Sequence, residues 1–156
     1  MGPDIEKVIN ELSLRMRLIR AMQEDQEAEG SLSEREVLIL QQLAEQGPLS
    51  VSQIASAWPN VSESTISTTL TRLWQKKKLV SKTISPDNQR MTIIELTDKG
   101  RAELQIVFEH RNERFNALFH AINVTEEEKE VLVRVCRRGI QYLDKFLGIK
   151  RSESPK

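Results

Sequence analysis

The stretch from Leu49 to Leu104 decides the fold: LSVSQIASAWPNVSESTISTTLTRLWQKKKLVSKTISPDNQRMTIIELTDKGRAEL. Two helix starts lie close together in it. Ser50 followed by Gln53 is a reciprocal cap, in which the hydroxyl accepts a backbone N–H and the amide returns the bond, with Leu49 set to staple Ile54. Trp58-Pro59-Asn60 ends that helix, and Ser62, with Val61 set to staple Ile66, opens a second that the pattern carries to Lys77. Leu79 to Ile84 and Met91 to Leu96 are rich in β-branched residues and flank the turn Ser85-Pro86-Asp87-Asn88-Gln89-Arg90, so they read as a β-hairpin. Helix, short turn, helix and hairpin make the outline of a winged helix-turn-helix.

The second helix carries the chemistry. Stepping about 100° per residue places Leu70 and Leu73 within about 40° of Ile66, which gives the helix an apolar anchor. On the opposite face stand Ser64, Thr68, Thr71 and Gln75, flanked by Thr65, Ser67 and Arg72. Short hydroxyl side chains let a helix approach closely and can meet phosphates, base edges or thymine methyls in a major groove. Ser and Thr are poor helix formers, and an ordinary solvated face would favour Glu, Lys and Ala.

Outward from this centre the chain is helical, which gives a mainly α fold with a small β-hairpin wing. Ile5, Val8, Ile9, Leu12, Met16 and Ile19 share one face of a first helix over about residues 4–26. Ser33 with Glu36 and Thr125 with Glu128 repeat the reciprocal cap, Leu32 is set to staple Val37, and Gly47-Pro48 ends the helix after Ser33. Thr97-Asp98 caps a helix with Leu104, Val107, Phe108, Phe115, Leu118, Phe119 and Ile122 on one side. The last helix carries Leu132, Val135, Cys136, Ile140, Leu143, Phe146 and Leu147. The expected organisation is a long N-terminal helix (1–31), a winged helix-turn-helix DNA-binding domain (32–97), long C-terminal helices (98–149) and a disordered tail (150–156).

With 156 residues, 23 Lys and Arg against 23 Asp and Glu, and 38% hydrophobic residues, the composition excludes a large multi-domain enzyme and fits a globular protein whose core is mostly aliphatic. Zero net charge hides a polarised distribution. From Ser64 to Ile93 the bases are Arg72, Lys76, Lys77, Lys78, Lys82 and Arg90, against Asp87 as sole acid, whereas residues 1–61 hold twice as many acids as bases. Concentrated positive charge on one element is what phosphate contact requires.

The wing-to-helix junction SPDNQRMTIIELTDKG, with a wing Arg followed at fixed distance by Leu-Thr-x-x-Gly, resembles the MarR family of winged-helix transcriptional regulators, and the flanking helices match in number and order. The resemblance implies a homodimer on a pseudo-palindromic, double-stranded DNA operator, with an N-terminal dimerisation helix (1–31) and C-terminal dimerisation helices (98–149) that set the two reading helices about 34 Å apart to meet successive major grooves. It places the wing Arg at Arg90, entering a minor groove, the reading-helix contacts at Ser64, Thr65, Ser67, Thr68 and Arg72, and a wing-strand base at Lys82. Asn88 stands where the family has Asp two residues before the wing Arg, beside Gln89, and Lys78 stands where Gly is favoured after the reading helix. A small aromatic or anionic effector between dimerisation and DNA-binding parts is a further implication. Rival readings are a repressor of the penicillinase-repressor kind and a winged helix whose basic face meets an acidic protein.

Other candidates carry less. His110 and His120 lie about 80° apart around one helix, which does not suit a shared metal, even with Glu113. Cys136, the sole cysteine, is expected to be a buried thiol among Leu132, Val135 and Ile140, and rules out an internal disulfide. Trp58 and Trp74 are expected to pack. No phosphate loop, nucleophile elbow or zinc-protease pair is present, so neither an enzyme nor a cofactor is expected. No apolar run or signal sequence points to a membrane, and the cytoplasm is the expected compartment.

Overall fold

The computed structural model describes residues 2, 4–24, 31–87 and 90–149. It divides into two units, Met1–Ser33 and Glu34–Lys156. The first holds one helix, α1 (Ile5–Glu24). Its apolar stripe is solvent-facing: Val8, Ile9, Leu12 and Ile19 are each about half exposed or more.

In the second unit α2 (Glu34–Gln46), α3 (Val51–Ser56) and α4 (Glu63–Thr71) are followed by strands β2 (Val80–Ile84) and β3 (Thr92–Leu96). Helices α5 (Asp98–Ala121) and α6 (Glu126–Leu147) complete it. The caps read from sequence at Ser50, Thr97 and Thr125 all form. Ser50 and Thr125 make full reciprocal boxes with Gln53 and Glu128, and Thr97 Oγ1 accepts Gly100 N–H at 3.0 Å. Every buried hydrophobic residue among those described is aliphatic, and they gather from every element of the winged helix: Ile39 and Leu40 from α2, Ile54 from α3, Ile66 and Leu70 from α4, Val80 and Ile94 from the strands. Only Leu104, in the first turns of α5, joins them from the long helices.

Three features depart from the sequence expectations. The hairpin is the larger part of a three-stranded antiparallel sheet, because β1 (Leu49–Ser50) pairs Leu49 with Ile94 on the free edge of β3. Two residues are too few to leave an alternating pattern. Helix α4 does not continue regularly to Lys77 but widens at Thr71 into a π-helical turn, Arg72–Lys76, closed by Lys77 N–H to Arg72 C=O at 3.1 Å. Such turns occur mostly as single insertions in α-helices, often at functional sites. Cys136 is exposed rather than buried. The reason is its helix: α6 has no buried residue, so Leu132, Val135 and Ile140 around the thiol are themselves at 41–49% exposure.

The end of α4 and its π turn is tied to the base of the hairpin. Lys78 takes the left-handed conformation, φ 56°, in which Gly is favoured. The turn is held by Thr97, whose hydroxyl donates to Lys78 C=O at 2.8 Å and whose N–H reaches Leu79 C=O at 3.1 Å. Gly100 completes the junction, since a Cβ there would collide with the Leu79 carbonyl oxygen.

Candidate nucleic-acid interface

The hydroxyls at the start of α4 are organised before any ligand arrives. Ser62 caps the helix through Thr65 N–H at 3.2 Å, and its Oγ lies 2.7 Å from Thr65 Oγ1 and 3.1 Å from Ser64 Oγ. Thr68 Oγ1 donates back to Ser64 C=O at 2.9 Å, and Thr69 Oγ1 to Thr65 C=O at 3.0 Å. A threonine whose proton is spent on its own helix offers its surroundings an acceptor and a methyl group. Thr68 is therefore better equipped for a thymine methyl than for donating to a phosphate.

The expected face divides by exposure. Ser64, Ser67, Thr68, Arg72 and Gln75 are exposed together, whereas Thr65 and Thr71 are half-buried. Lys82, on β2, is half-buried, and Arg90 is exposed at the end of the wing turn. Asn88 and Gln89 lie outside the described residues. Beneath the face, Ile66, Leu70 and Leu73 are fully buried, as the helical spacing predicts, so the helix is seated with its hydroxyls outward.

The basic run is not uniform. Lys77 turns inward, and its Nζ donates to Glu36 Oε2 at 2.8 Å. Arg72 Nη1 lies 4.0 Å from the other Glu36 oxygen, with the Arg72 side chain 51% exposed and that of Glu36 1%. The π turn explains the geometry, since residues five apart come to one side of the helix there. One buried carboxylate thus reaches both ends of the turn. Lys77 spends its charge within the protein, while Lys76, Lys78 and Arg90 remain at the surface. Nothing in the basic run distinguished Lys77 from its neighbours. A signal for Glu36 did exist: it shares the helical face of Leu40 and Leu43, three and four residues apart, which is the buried stripe.

Among the other candidates, Trp58 is half-buried with the Arg35 guanidinium carbon 6.0 Å from its ring centroid. Trp74 does not pack into the core and is 38% exposed. His110 Nδ1 lies 3.6 Å from Glu113 Oε2. Among the described residues no cluster of three potential metal ligands forms, and no helix is long and apolar enough to cross a membrane.

Comparison with known proteins places this geometry. Residues 32–92 match the model of the MarR family. The fold is similar to that of YusO from Bacillus subtilis, 24% identical over 88% of this chain and 98% of that one, with a TM-score of 0.61. A cysteine-to-serine mutant of MarR from E. coli is 14% identical over 90% of this chain and 98% of its own, with a TM-score of 0.69. Bordetella bronchiseptica BpsR, whose DNA binding is regulated by 6-hydroxynicotinic acid, is 20% identical over 85% of this chain and 97% of its own, with a TM-score of 0.56. No curated protein sequence matches the chain.

Proposed function

We propose that this chain, whose residues 32–92 match the MarR family model, is a DNA-binding transcriptional regulator acting as a homodimer on a pseudo-palindromic operator. The observation that carries the proposal is the exposed face of α4. Ser64, Ser67 and Thr68 stand outward on a helix anchored by Ile66, Leu70 and Leu73, with Arg72 in the turn that follows and Lys82 and Arg90 in the hairpin. In this reading α4 enters the major groove and Arg90 the flanking minor groove.

The homodimer is supported by what the fold leaves uncovered. Leu143, Phe146 and Leu147 on α6 are 55%, 73% and 69% exposed, an apolar stripe that a second copy would bury. Repression released by a small aromatic or anionic effector is the regulatory half of the proposal, by analogy with BpsR. Such an effector would act by binding better to the dimer whose reading helices are wrongly spaced.

The groove face has hydroxyls and a terminal Gln but lacks a central Arg or Asn, the usual bidentate base readers. Base readout is therefore modest and affinity largely electrostatic, with AT-rich flanks preferred for their narrow minor groove. The test is fluorescence anisotropy with the duplex upstream of the chain's own gene, titrated at several salt concentrations. A specific complex with a steep salt dependence is expected, and Arg90→Ala should weaken it about tenfold and reduce the salt slope by about one. Salt-insensitive binding, or undiminished binding by Arg90→Ala, would count against the assignment. Absence of any specific complex at low salt would favour the protein-interaction reading.

A further inference from the structure

Trp74 sits in the middle of the π-helical turn. Its neighbour Leu73 is fully buried, but Trp74 is turned outward and is 38% exposed. The ring is not bare: Lys82 Nζ lies 4.7 Å from its centroid. Lys82 belongs to β2, directly opposite Ile94 on β3. Paired residues point to the same side of a sheet, so Lys82 leaves the strand on the side of buried Ile94. Along that side Val80 is buried, Lys82 half-buried and Ile84 exposed. The strand runs off the edge of the core at Lys82, and the lysine sets its ammonium over the indole.

The chain holds another lysine at this end of the reading helix in a different way. Lys77 donates to the buried Glu36 carboxylate at 2.8 Å, and its charge is cancelled on the spot. An aromatic ring attracts an ammonium through its quadrupole without neutralising it. The three N–H donors of lysine are also not consumed by a carboxylate acceptor and stay available to an oxygen on the far side. A freely rotating lysine loses rotamer freedom when it grips a phosphate, whereas one already laid on a ring has lost part of it on folding.

We propose that Trp74 is a positioning residue of the DNA interface, holding the Lys82 ammonium, still charged, at the corner between the reading helix and the wing to meet a backbone phosphate. The inference rests on the DNA-binding reading above and adds to it a residue that touches no base.

The experiment uses the full chain in a Trp58→Phe background, where Trp74 is the sole tryptophan. Without DNA, Lys82→Met should change the Trp74 emission, which reads the contact directly. With the upstream duplex, Trp74→Leu should weaken specific binding about two- to fivefold, the range of an exposed cation–π contact, and leave the salt slope unchanged because the ammonium is still present. Trp74→Phe should recover most of the loss. Lys82→Met should weaken binding and lower the salt slope by about one phosphate. In the Lys82→Met background, Trp74→Leu should then cost nothing further. Equal cost of Trp74→Leu with and without Lys82 would overturn the proposal and leave the ring a packing element, as would unchanged affinity in Trp74→Leu. Melting curves check each variant, and Trp74→Gln, which also lacks a ring, replaces Trp74→Leu in the cycle with Lys82→Met if Trp74→Leu does not fold. Should the unsubstituted chain form no specific complex, the DNA-binding reading itself fails and this inference falls with it. A specific complex with an additive cycle refutes the inference alone.

Discussion

The α2 and α6 helices look alike in sequence and end differently. Both carry apolar residues at helical spacing, yet α2 buries Val37, Ile39, Leu40 and Leu43, and α6 buries nothing. A periodic stripe names a face that must be covered; what covers it depends on the rest of the molecule. The difference can be broken open with one substitution placed twice. Leu40→Glu puts a carboxylate at a position with 0% exposure and should unfold the chain, since burying an unpaired charge costs several kcal/mol. Leu143→Glu, at 55% exposure, should leave the thermal melt of the monomer nearly unchanged. It should instead convert a dimer to a monomer in sedimentation and weaken operator binding on the order of a hundredfold, because the two half-sites lose their linkage. Unchanged sedimentation in Leu143→Glu would mean that α6 is not the dimerisation surface.

The next prediction concerns how tightly the winged helix is closed. Gly100→Ala drives a methyl group into the Leu79 carbonyl, a backbone atom that cannot swing aside. Alanine's better helix propensity returns about 1 kcal/mol, so a net loss of about 2 kcal/mol is expected from urea unfolding. Free tolerance of Ala would show that the wing base can slide relative to α5. The same substitution at Gly139 on α6, where a Cβ would meet nothing within 4 Å, should be stabilising in the monomer, which sharpens the contrast between the two regions.

The winged helix is also where charge is buried. Glu36→Gln leaves the Lys77 ammonium half-buried against a neutral amide. Because the Lys77 side chain keeps 19% exposure, the loss should fall below that of a sealed pair, at about 2 kcal/mol. Combining Glu36→Leu with Lys77→Met should recover most of that stability, since two apolar groups replace both charges. A double variant as unstable as Glu36→Gln would show that the carboxylate does more than balance Lys77.

What was legible in the sequence follows from the range of each interaction. Caps at Ser50, Thr97 and Thr125 act over three residues, and the anchor of Ile66, Leu70 and Leu73 over two turns, so local spacing sufficed for both. The outward hydroxyls of Ser64, Ser67 and Thr68 followed from the same geometry. Contacts between distant segments left fainter marks: β1 is two residues long, and Glu36 meets Lys77 across 41 positions. The π turn was invisible because a regular step of about 100° per residue fits Leu73 to the core equally well. Cys136 reads as interior because spacing alone shows apolar neighbours and says nothing of whether the same chain covers them, and α6 is left uncovered.

The smallest effect tests a place where the winged helix accepts strain. Lys78 occupies the left-handed region at φ 56°, which costs a residue with a Cβ roughly 1 kcal/mol relative to Gly. Replacing it by Gly removes that strain but lets the unfolded chain gain entropy worth about 0.5–1 kcal/mol. The two terms nearly cancel, so Lys78→Gly should raise stability by less than about 1 kcal/mol, measured by urea unfolding. Operator affinity should fall at the same time, by less than about threefold, because the exposed ammonium is lost while the turn is still held by the Thr97 hydroxyl on its carbonyl. A gain in affinity would mean that the strained turn, and not the charge, limits how the reading helix meets DNA. A loss of stability beyond about 1 kcal/mol would mean that the Lys78 side chain secures the turn.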